Sequence, residues 1–547
     1  MRLGRGQPGE PTPLSPQTTL WMTIGLLVTF LSQFVWVQAT NFGGHDEWLI
    51  VSLNAKHVVG FPYANRPLVL LGSLPVALLW PHALKAYLFF HTLYLSLSGV
   101  LVFLLFRRLA PHSSLLTFLT AVFSLVWVPL DFMRLDTVLM TGYSGFTFLT
   151  FLALFLLVES WQRQSVVLLL AGAFLGFVTT RGGEATVPLL ALAPALLLPL
   201  RGDRPLWTWV IVWESLVVAG VALIVAPLAS PGQGSYQLSA LGLDPHPLHV
   251  AGRLLEQFRF HLLPLFTSPP REMARIGVVA AVGVFGLVYA VGTRNETEAK
   301  PGGADMPFLP GAMLLGLVWA GLGYSTYALS RAINTPARTQ ILSSPGIGLF
   351  LAGGVCLLGR AFAPPWRRLA IGLLAGWVVA VGAGRTLAMQ REWDLASAWP
   401  AQNSTLVNLT RAAPDLKPNT FVLLIDEAGA WPATFTFRHA VEYLYRGRAL
   451  GSVWGAQEFL YPTVFAGDGV HSDPWEIIRR PWGSATSHHG YDEVMVVALR
   501  PSGELDILER WPEALPPLPP GAVYRPRDRI VAGGSLPEER GILVGGP

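Results

Sequence analysis

Two adjacent carboxylates, Asp46 and Glu47, follow the first long apolar run of the chain, directly after a Gly-Gly turn and before Trp48. A carboxylate in partly desolvated surroundings binds protons more readily and can act as a general base. We interpret Asp46 as a catalytic base, against the alternative of two solvated loop acids. Glu47 either assists Asp46, binds an acceptor or faces water. His45 could be a metal ligand, but one histidine beside two acids is not a recognisable metal site. We therefore keep it only as a possible substrate contact.

A rigid segment with one cation lies further along the same loop. It contains Tyr63, Asn65 and Arg66 between two prolines, Pro62 and Pro67. A guanidinium suits a phosphate because its planar fork donates parallel hydrogen bonds. We therefore interpret Arg66 as a phosphate ligand, with Tyr63 and Asn65 as possible substrate contacts.

Two later polar stretches lie at the ends of apolar runs. The first contains Arg134, a possible substrate contact, and Asp136, which is either a catalytic acid or the N-cap of the following helix. The second contains Arg181 and Glu184 at a helix junction. There we favour a mutual ion pair, with a contact to substrate as the lesser option.

The loop from Ser330 to Gln340 is polar although it lies between two apolar helices. Its Arg331 and Arg338 are candidate phosphate ligands. Alternatively, they are cations whose side chains extend from the membrane interface into water. Arginine on the outer face runs against the preference of basic residues for the cytoplasmic side, which favours a specific role.

Apolar runs of about 15–24 residues separate these polar segments from Trp21 to Gly384. Runs of that length, at about 1.5 Å per residue, can cross a hydrocarbon core of about 30 Å. Only 13% of the residues are charged, against about 25% in soluble proteins. Segments such as Ile276 to Val291 also lack the regularly spaced polar positions of a water-soluble helical repeat. The sequence therefore predicts a polytopic α-helical protein of the cell membrane.

About eleven crossings are predicted. The stretch from Leu68 to Trp80 is not counted, because it is short and contains Gly72 and Pro75; we interpret it as an interfacial helix. The predicted crossings run about from Trp21 to Ala39, Leu84 to Phe106, Leu115 to Leu130, Ser144 to Val158, Ser165 to Thr179, Ala185 to Leu200, Leu206 to Ala229, Ile276 to Val291, Phe308 to Tyr327, Ile341 to Leu358 and Leu369 to Gly384.

The basic residues orient this arrangement. Arg2 and Arg5 favour a cytoplasmic amino terminus. All candidate site residues then lie in extracytoplasmic loops, and the amphipathic segment from His249 to Phe266 lies on the outer surface. The basic clusters at the cytoplasmic ends agree with this orientation: Arg107-Arg108, Arg163, Arg201 with Arg204, Arg294 with Lys300, and Arg360 with Arg367-Arg368.

Three regions follow from this organisation: a cytoplasmic tail (1–20), a membrane module (21–384) and an extracytoplasmic α/β domain (385–547). In the last region we predict a helix from Ala440 to Leu450. Its Asp426-Glu427 and His488-His489 pairs are interpreted as surface features. The predicted strands run from Phe421 to Ile425, Glu493 to Leu499 and Leu505 to Leu508.

The order of these motifs resembles the start of the GT-C superfamily of polyprenyl-phosphate-sugar glycosyltransferases. The matching features are Asp46-Glu47, then about twenty residues, then Arg66-Pro67-Leu68, a short apolar helix, and a helix ending in Arg107-Arg108. The likeness is closest to protein O-mannosyltransferases and lipid A aminoarabinose transferases. Arg134 and Asp136 are similar to a further motif between helices 3 and 4. The chain departs from the family in having one proline after Arg66 and a shorter spacing from Arg134 to Asp136.

The resemblance implies transfer of one sugar, with inversion, from a polyprenyl-phosphate donor to a protein, lipid or glycan acceptor at the outer face of the bilayer. It implies Asp46 as the base and cations such as Arg66 at the donor phosphate, without a metal or other cofactor. Two alternatives remain: a transporter or flippase for lipid-linked sugars, and a non-catalytic membrane subunit on a GT-C scaffold. A transporter should have broken helices and charges near the bilayer midplane. Here the candidate site charges are all predicted at the outer surface, which favours the enzyme.

Overall fold

The fold is known from a computed structural model of the 547-residue chain. It describes residues 20, 22–27, 29, 30, 35, 37–42, 47–58, 67–111, 113–127, 132–201, 204–226, 244–266, 281–286, 288, 308–330, 341–431, 433–456, 461–472, 487–535 and 537–544.

Most of the described chain is helical. The α-helices, numbered in chain order, are α1 (Glu47–Ala55), α2 (Leu74–Leu79), α3 (Leu84–Leu109), α4 (Ser114–Val126), α5 (Thr137–Arg163), α6 (Val166–Thr180), α7 (Val187–Ala191), α8 (Trp207–Val225), α9 (Pro247–Leu262), α10 (Phe308–Ala328), α11 (Ser344–Arg360), α12 (Pro364–Ala396), α13 (Trp399–Ala412), α14 (Thr434–Leu444) and α15 (Gly541–Val544).

Six helices among the described residues are long and apolar enough to cross a membrane, which confirms the membrane class of the protein. Three shorter apolar helical stretches accompany them, at Ser114–Val126, Val166–Thr180 and Glu184–Leu200. The total of eleven crossings stays a prediction. The first predicted crossing and the one from Ile276 to Val291 lie only partly within the described residues. The six long segments are Leu84–Leu109, Thr137–Arg163, Trp207–Val225, Leu309–Ala328, Ile341–Arg360 and Trp366–Ala396.

By its internal contacts the chain divides into two compact units. The first, called the helical unit below, comprises Met1–Val37, His91–Leu135 and Tyr143–Trp393. The second, called the mixed unit, comprises Gln38–Phe90, Asp136–Gly142 and Asp394–Pro547. The first predicted loop, the start of α5 and the C-terminal α/β region thus belong to the same compact unit.

The segment predicted as an interfacial helix is short. A 3₁₀ turn at Leu71–Ser73 leads into α2, which has six residues. Six residues of α-helix span only about 9 Å, so α2 cannot cross a bilayer. The side chains of Leu78, Leu79 and Trp80 are more than half exposed, as an interfacial segment requires.

The predicted crossing from Ala185 to Leu200 is not one regular helix. It consists of a 3₁₀ turn at Glu184–Thr186, the five-residue α7 and a 3₁₀ segment at Ala193–Leu200. Prolines at 188, 194 and 199 are the reason, because proline lacks a backbone N–H and clashes with the preceding turn.

Two further boundaries differ from the sequence prediction. Helix α12 continues twelve residues beyond Gly384, to Ala396, because loss of hydrophobicity at Arg385 ends the apolar run but not the backbone hydrogen bonding. The helix predicted from Ala440 to Leu450 ends instead at Leu444. Arg446 and Gly447 both have positive φ, which terminates the helix, and a strand begins at Ala449.

Glycines allow close contact between membrane helices of the helical unit. A Cβ on Gly346 of α11 would lie 2.5 Å from the Gly316 carbonyl oxygen of α10, and one on Gly348 would lie 2.5 Å from the Thr120 oxygen of α4. Helix α11 therefore packs backbone to backbone on two neighbours. In lipid, such small-residue faces are a main source of helix association.

Three helix ends predicted to be cytoplasmic meet in the helical unit. Glu159, near the end of α5, forms ion pairs with Arg108 of α3 and with Arg163. Trp161 Nε1 donates to the Leu200 carbonyl oxygen at 3.1 Å. The ends of α3, α5 and the segment Ala193–Leu200 therefore lie together in the helical unit, and the side of the membrane on which they lie stays a prediction.

The strands of the described residues form two small sheets. They are β1 (Thr420–Asp426), β2 (Ala449–Trp454), β3 (Thr463–Ala466), β4 (Gly469–Ser472), β5 (His488–His489), β6 (Val494–Leu499) and β7 (Leu505–Ile507). The larger sheet has the order β2-β1-β6-β7, in which β1 is parallel to β2 and β6, and β7 is antiparallel to β6. The smaller sheet is antiparallel, in the order β3-β4-β5. These strands confirm the sheet predicted near the carboxyl terminus.

Replacement of Gly346 by Ala should destabilise the protein, because the new methyl group meets backbone atoms of α10. Overpacking of this kind costs about 1–3 kcal/mol, so the apparent unfolding temperature of purified protein in detergent should fall by a few degrees. Gly311→Ala is the matched control, because a Cβ at Gly311 has no atom within 4 Å. Equal unfolding temperatures for the two variants would contradict close packing of α10 and α11.

Candidate functional site

Helix α1 begins at Glu47, directly after the predicted base. Trp48 and Ser52 of α1, and Lys56 directly after its last residue, are spaced four apart and therefore lie on one side. The Lys56 Nζ lies 2.5 Å from Glu442 Oε1 of α14, and the Ser52 hydroxyl donates to Glu442 Oε2 at 3.3 Å. One carboxylate of the C-terminal region thus contacts both the second turn of α1 and the residue that follows the helix.

Aromatic packing fixes the first turn of the same side of α1. The Trp48 ring lies edge-on to Phe42, with centroids 4.8 Å apart, and 6.3 Å from the ring of Trp399. Its Nε1 donates to Gln402 Oε1 at 3.4 Å. Glu47, next to Trp48, is only 1% exposed, so it does not simply face water.

Polar contacts also hold the other end of α1. Asn54 Nδ2 donates to the Tyr87 hydroxyl at 2.9 Å, and the Ser73 hydroxyl donates to Asn54 Oδ1 at 3.2 Å. Asn54 is buried, and a buried amide is stabilised when both its oxygen and its nitrogen are hydrogen-bonded. These bonds connect α1 to the interfacial segment and to the beginning of α3.

Asp136 caps α5. Its Oδ1 accepts a hydrogen bond from the Leu139 backbone N–H at 2.9 Å, so the N-cap role considered from the sequence is confirmed. The backbone N–H of Thr137 donates to the Asn41 carbonyl oxygen at 3.1 Å. Capping does not exclude a second role, because a carboxylate has two oxygens.

The start of α5 and the segment before Glu47 therefore meet. Asn41 bonds Thr137, and the next residue, Phe42, packs on Trp48. Thr141 Oγ1 also donates to the Tyr87 carbonyl oxygen at 3.0 Å. Glu47 is thus adjacent in sequence to Trp48, and Asp136 to Thr137, which are the two residues that make these contacts. Five other predicted site residues lie outside the described residues: His45, Asp46, Tyr63, Asn65 and Arg66.

A buried polar chain extends from Glu442 into the α/β region. His439 Nδ1 lies 3.0 Å from Glu442 Oε2, and His439 Nε2 lies 2.9 Å from the Tyr461 hydroxyl. Arg438 lies over the Tyr461 ring, 4.4 Å from its centroid. Burial lowers the pKa of His439. Burial opposes ionisation of Glu442, but the hydrogen bond from His439 and the charge of Lys56 outweigh it and hold the pKa below its ordinary value.

The remaining predicted residues belong to the helical unit. Arg134 is buried and donates from Nη2 to Thr386 Oγ1 at 2.6 Å. Burial lowers its pKa to about 10, which leaves it cationic at neutral pH. Arg181 follows the end of α6, and the Glu184 carbonyl oxygen accepts from Thr326 Oγ1 at 3.4 Å. Their mutual ion pair stays a prediction.

Arg331 and Arg338 lie outside the described residues, but Ser330, the first residue of their loop, is described. Arg253 of the amphipathic helix α9 donates to the Ser330 carbonyl oxygen and pairs with Asp244 at 3.1 Å. The predicted amphipathic helix is confirmed, and its polar side contacts the chain at the start of that loop.

The chain matches no protein-family model and no curated protein. Any function therefore rests on its own residues and their contacts.

Sequence reasoning did not identify Glu442 and His439 as part of this region. The two lie three apart on α14, a spacing typical of any solvated helix, and α14 itself was predicted about six residues too late. Glu442 and His439 become part of this region only because α14 packs on α1, which lies nearly four hundred residues earlier in the sequence. No local pattern signals such a contact.

The buried His439 should make stability depend on pH. Because its folded pKa is lowered, its contribution is fully present above the ordinary histidine pKa of about 6.5 and is lost as pH falls below it. The apparent unfolding temperature should therefore fall between about pH 7 and pH 5.5, and His439→Gln should reduce that fall. His249→Gln, at an exposed histidine, is the control. An unchanged pH dependence in His439→Gln would show that this group does not titrate on unfolding.

Proposed function

We propose that this chain is a membrane glycosyltransferase that moves one sugar from a polyprenyl-phosphate donor to an acceptor at the extracytoplasmic face. The observation that carries the proposal is the junction of Asn41 with Thr137. It joins Asn41, which precedes Asp46 and Glu47 in the sequence, to the first residue of the helix capped by Asp136. Glu47 and Asp136, both selected from the sequence for chemistry, thus belong to segments of the mixed unit that contact each other through Asn41 and Phe42.

The rigidity around α1 supports a catalytic role for its first turn. Glu442 and Trp48 fix one side of the helix, and Asn54 fixes the other. A general base must keep its position to within a fraction of an ångström, so such support is what a catalytic carboxylate requires. Glu47 is buried at the start of the same helix, where a negative charge is favoured by the helix dipole.

In the proposed reaction Asp46 accepts the proton of the acceptor hydroxyl. The hydroxyl oxygen attacks the anomeric carbon from the face opposite the phosphate and forms the new C–O bond. The bond from the anomeric carbon to the phosphate oxygen breaks, and its electron pair leaves with the polyprenyl phosphate. This single displacement inverts the configuration at that carbon. The negative charge on the leaving phosphate calls for cations, for which Arg66, Arg331 and Arg338 are the candidates.

The membrane helices support a lipid-linked donor. A polyprenyl chain stays in the hydrocarbon core while its phosphate remains at the interface, so the enzyme must present its polar groups near that interface. The described chain combines six apolar helices with the amphipathic helix α9. It also has buried polar groups around α1, among them Glu47 and Asn54.

Asp46→Asn tests the proposed base, because an amide cannot accept the proton. Purified protein in lipid nanodiscs would be given labelled polyprenyl-phosphate sugars and a cell-envelope acceptor preparation. We expect transfer to fall by about 10²–10⁴-fold with normal membrane insertion. Glu509→Gln, at an exposed acid paired with Arg527, should retain activity.

The same protein reconstituted in sealed liposomes separates the rival functions, because transfer and movement across the bilayer can both be measured there. If the unaltered protein moves a fluorescent lipid-linked sugar across the bilayer without transferring it, the protein is a flippase. Full transfer activity in Asp46→Asn would contradict the proposed role of Asp46 as the base. Absence of both activities in the isolated protein would favour a non-catalytic subunit.

A further inference from the structure

The small antiparallel sheet gathers one carboxylate and two imidazoles at its edge. Asp468 Oδ1 lies 3.1 Å from His471 Nε2, and Asp468 Oδ2 lies 3.3 Å from His488 Nε2. One nitrogen or oxygen from each residue lies within 4.8 Å of the others. We propose that Asp468, His471 and His488 bind a divalent transition-metal ion of the Zn²⁺ class, independently of the proposed sugar transfer.

The strand register explains why these residues converge. His471 of β4 and His488 of β5 are directly opposite each other in antiparallel pairing, so their side chains leave the same face of the sheet. Their ring centroids lie 4.5 Å apart. Asp468 lies in the turn that joins β3 to β4, beside the closing pair of Ala466 and Gly469. The hairpin thus directs all three side chains to one point.

The distances suit a metal of tetrahedral preference. With metal–ligand bonds of about 2.0–2.2 Å, ligand atoms in a tetrahedral site are about 3.4 Å apart. The distances from the carboxylate to the two imidazoles, 3.1 Å from Oδ1 and 3.3 Å from Oδ2, are close to this length. One ligand atom from each of the three residues lies within 4.8 Å of the others, so small side-chain rotations would bring all three onto one ion. Two imidazoles and one carboxylate also form a donor set used by zinc and by other first-row transition metals, and they leave a position open for water or a ligand.

The backbone around the cluster is held in place. Asn419 Nδ2 donates to the His488 carbonyl oxygen at 3.3 Å, and the Asn419 carbonyl oxygen accepts from His489 Nδ1 at 2.9 Å. The Tyr491 hydroxyl donates to the Ala466 carbonyl oxygen at 2.8 Å. Strand β5 and the end of β3, next to the turn of Asp468, are therefore held by residues outside the cluster, as a preorganised metal site requires.

A glycine keeps space beside the cluster. Gly469 has a φ of +153°, and a Cβ there would lie 3.0 Å from His488 Nε2. Any other residue at this position would crowd the nitrogen that faces Asp468. His489, by contrast, points to the opposite side of the strand and is buried. Of the adjacent histidines interpreted from the sequence as surface features, one is therefore buried, and the other belongs to the cluster.

The cluster lies at the rim of a polar cleft. Asp468 lines this cleft, which has a volume of about 770 Å³, together with Lys417, Arg525 and Arg529. The side chains of Asp468, His471 and His488 are 67%, 30% and 44% exposed. A metal ion can therefore enter from solvent without any rearrangement of the core.

Metal titration of the full-length protein tests the proposal. The protein would be purified with a histidine-free tag, stripped with EDTA and titrated with Zn²⁺ by calorimetry and with Co²⁺ by visible absorption. We expect one equivalent to bind, with the d–d bands of a low-coordinate Co²⁺ site. His471→Gln, His488→Gln and Asp468→Asn should each weaken binding by about tenfold or more, because each removes one of three ligands.

His249→Gln is the matched control. His249 is also exposed and lies 3.6 Å from an aspartate oxygen, in this case of Asp244. The ring of His246 lies nearby, with centroids 5.0 Å apart, but among the described residues only Asp468, His471 and His488 bring three possible ligand atoms within 4.8 Å of one another. This variant should bind Zn²⁺ as the unaltered protein does. Circular dichroism and size-exclusion profiles would show that the three site variants remain folded. No saturable binding, or undiminished binding in the three site variants, would overturn the proposal.

Discussion

The ionic contact between α1 and α14 organises the mixed unit. The Glu442 carboxylate receives the Lys56 ammonium, the Ser52 hydroxyl and the His439 ring, so a charge with little access to water has three partners. Lys56 is about half exposed, which makes its pairing alone a modest contribution. Removal of Glu442 would instead leave several donors without their shared acceptor. The resulting loss of folding free energy is usually larger than the contribution of any single pair. Because α1 begins with Glu47 and directly follows Asp46, we expect the positions of both proposed active-site acids to depend on this contact.

The membrane part was largely predictable because the hydrocarbon core imposes simple rules. Backbone groups must be paired within each helix, and charges must stay near the ends. These rules suffice for α3, α8, α10 and α11, whose bounds lie within a few residues of the sequence prediction. They fail at Ala185–Leu200, where three prolines break a run that hydropathy alone cannot distinguish from a helix. They fail again at α12, because a helix that leaves the membrane keeps its hydrogen bonds while its composition changes.

The candidate site was predictable only in part, for a different reason. The capping role of Asp136 is a local property, readable from one acid before an apolar run. Contact between the loop of Asp46-Glu47 and α5 follows from sidedness, since both lie at outer ends in the predicted topology. The partners supplied by α14 and the pairing of His471 with His488 depend instead on packing and strand register between distant residues. A single sequence contains no periodic signal for either.

The separation between Ser52 and Glu442, 390 residues, also has a consequence for biogenesis. At about 5–20 residues per second, the ribosome needs roughly 20–80 s to reach α14 after it has made α1. During that interval Trp48 and Ser52 lack their eventual neighbours, while the intervening apolar helices are being inserted into the bilayer. The contacts of α1 with the C-terminal region therefore form only after α14 has left the ribosome, when about four fifths of the chain has been made.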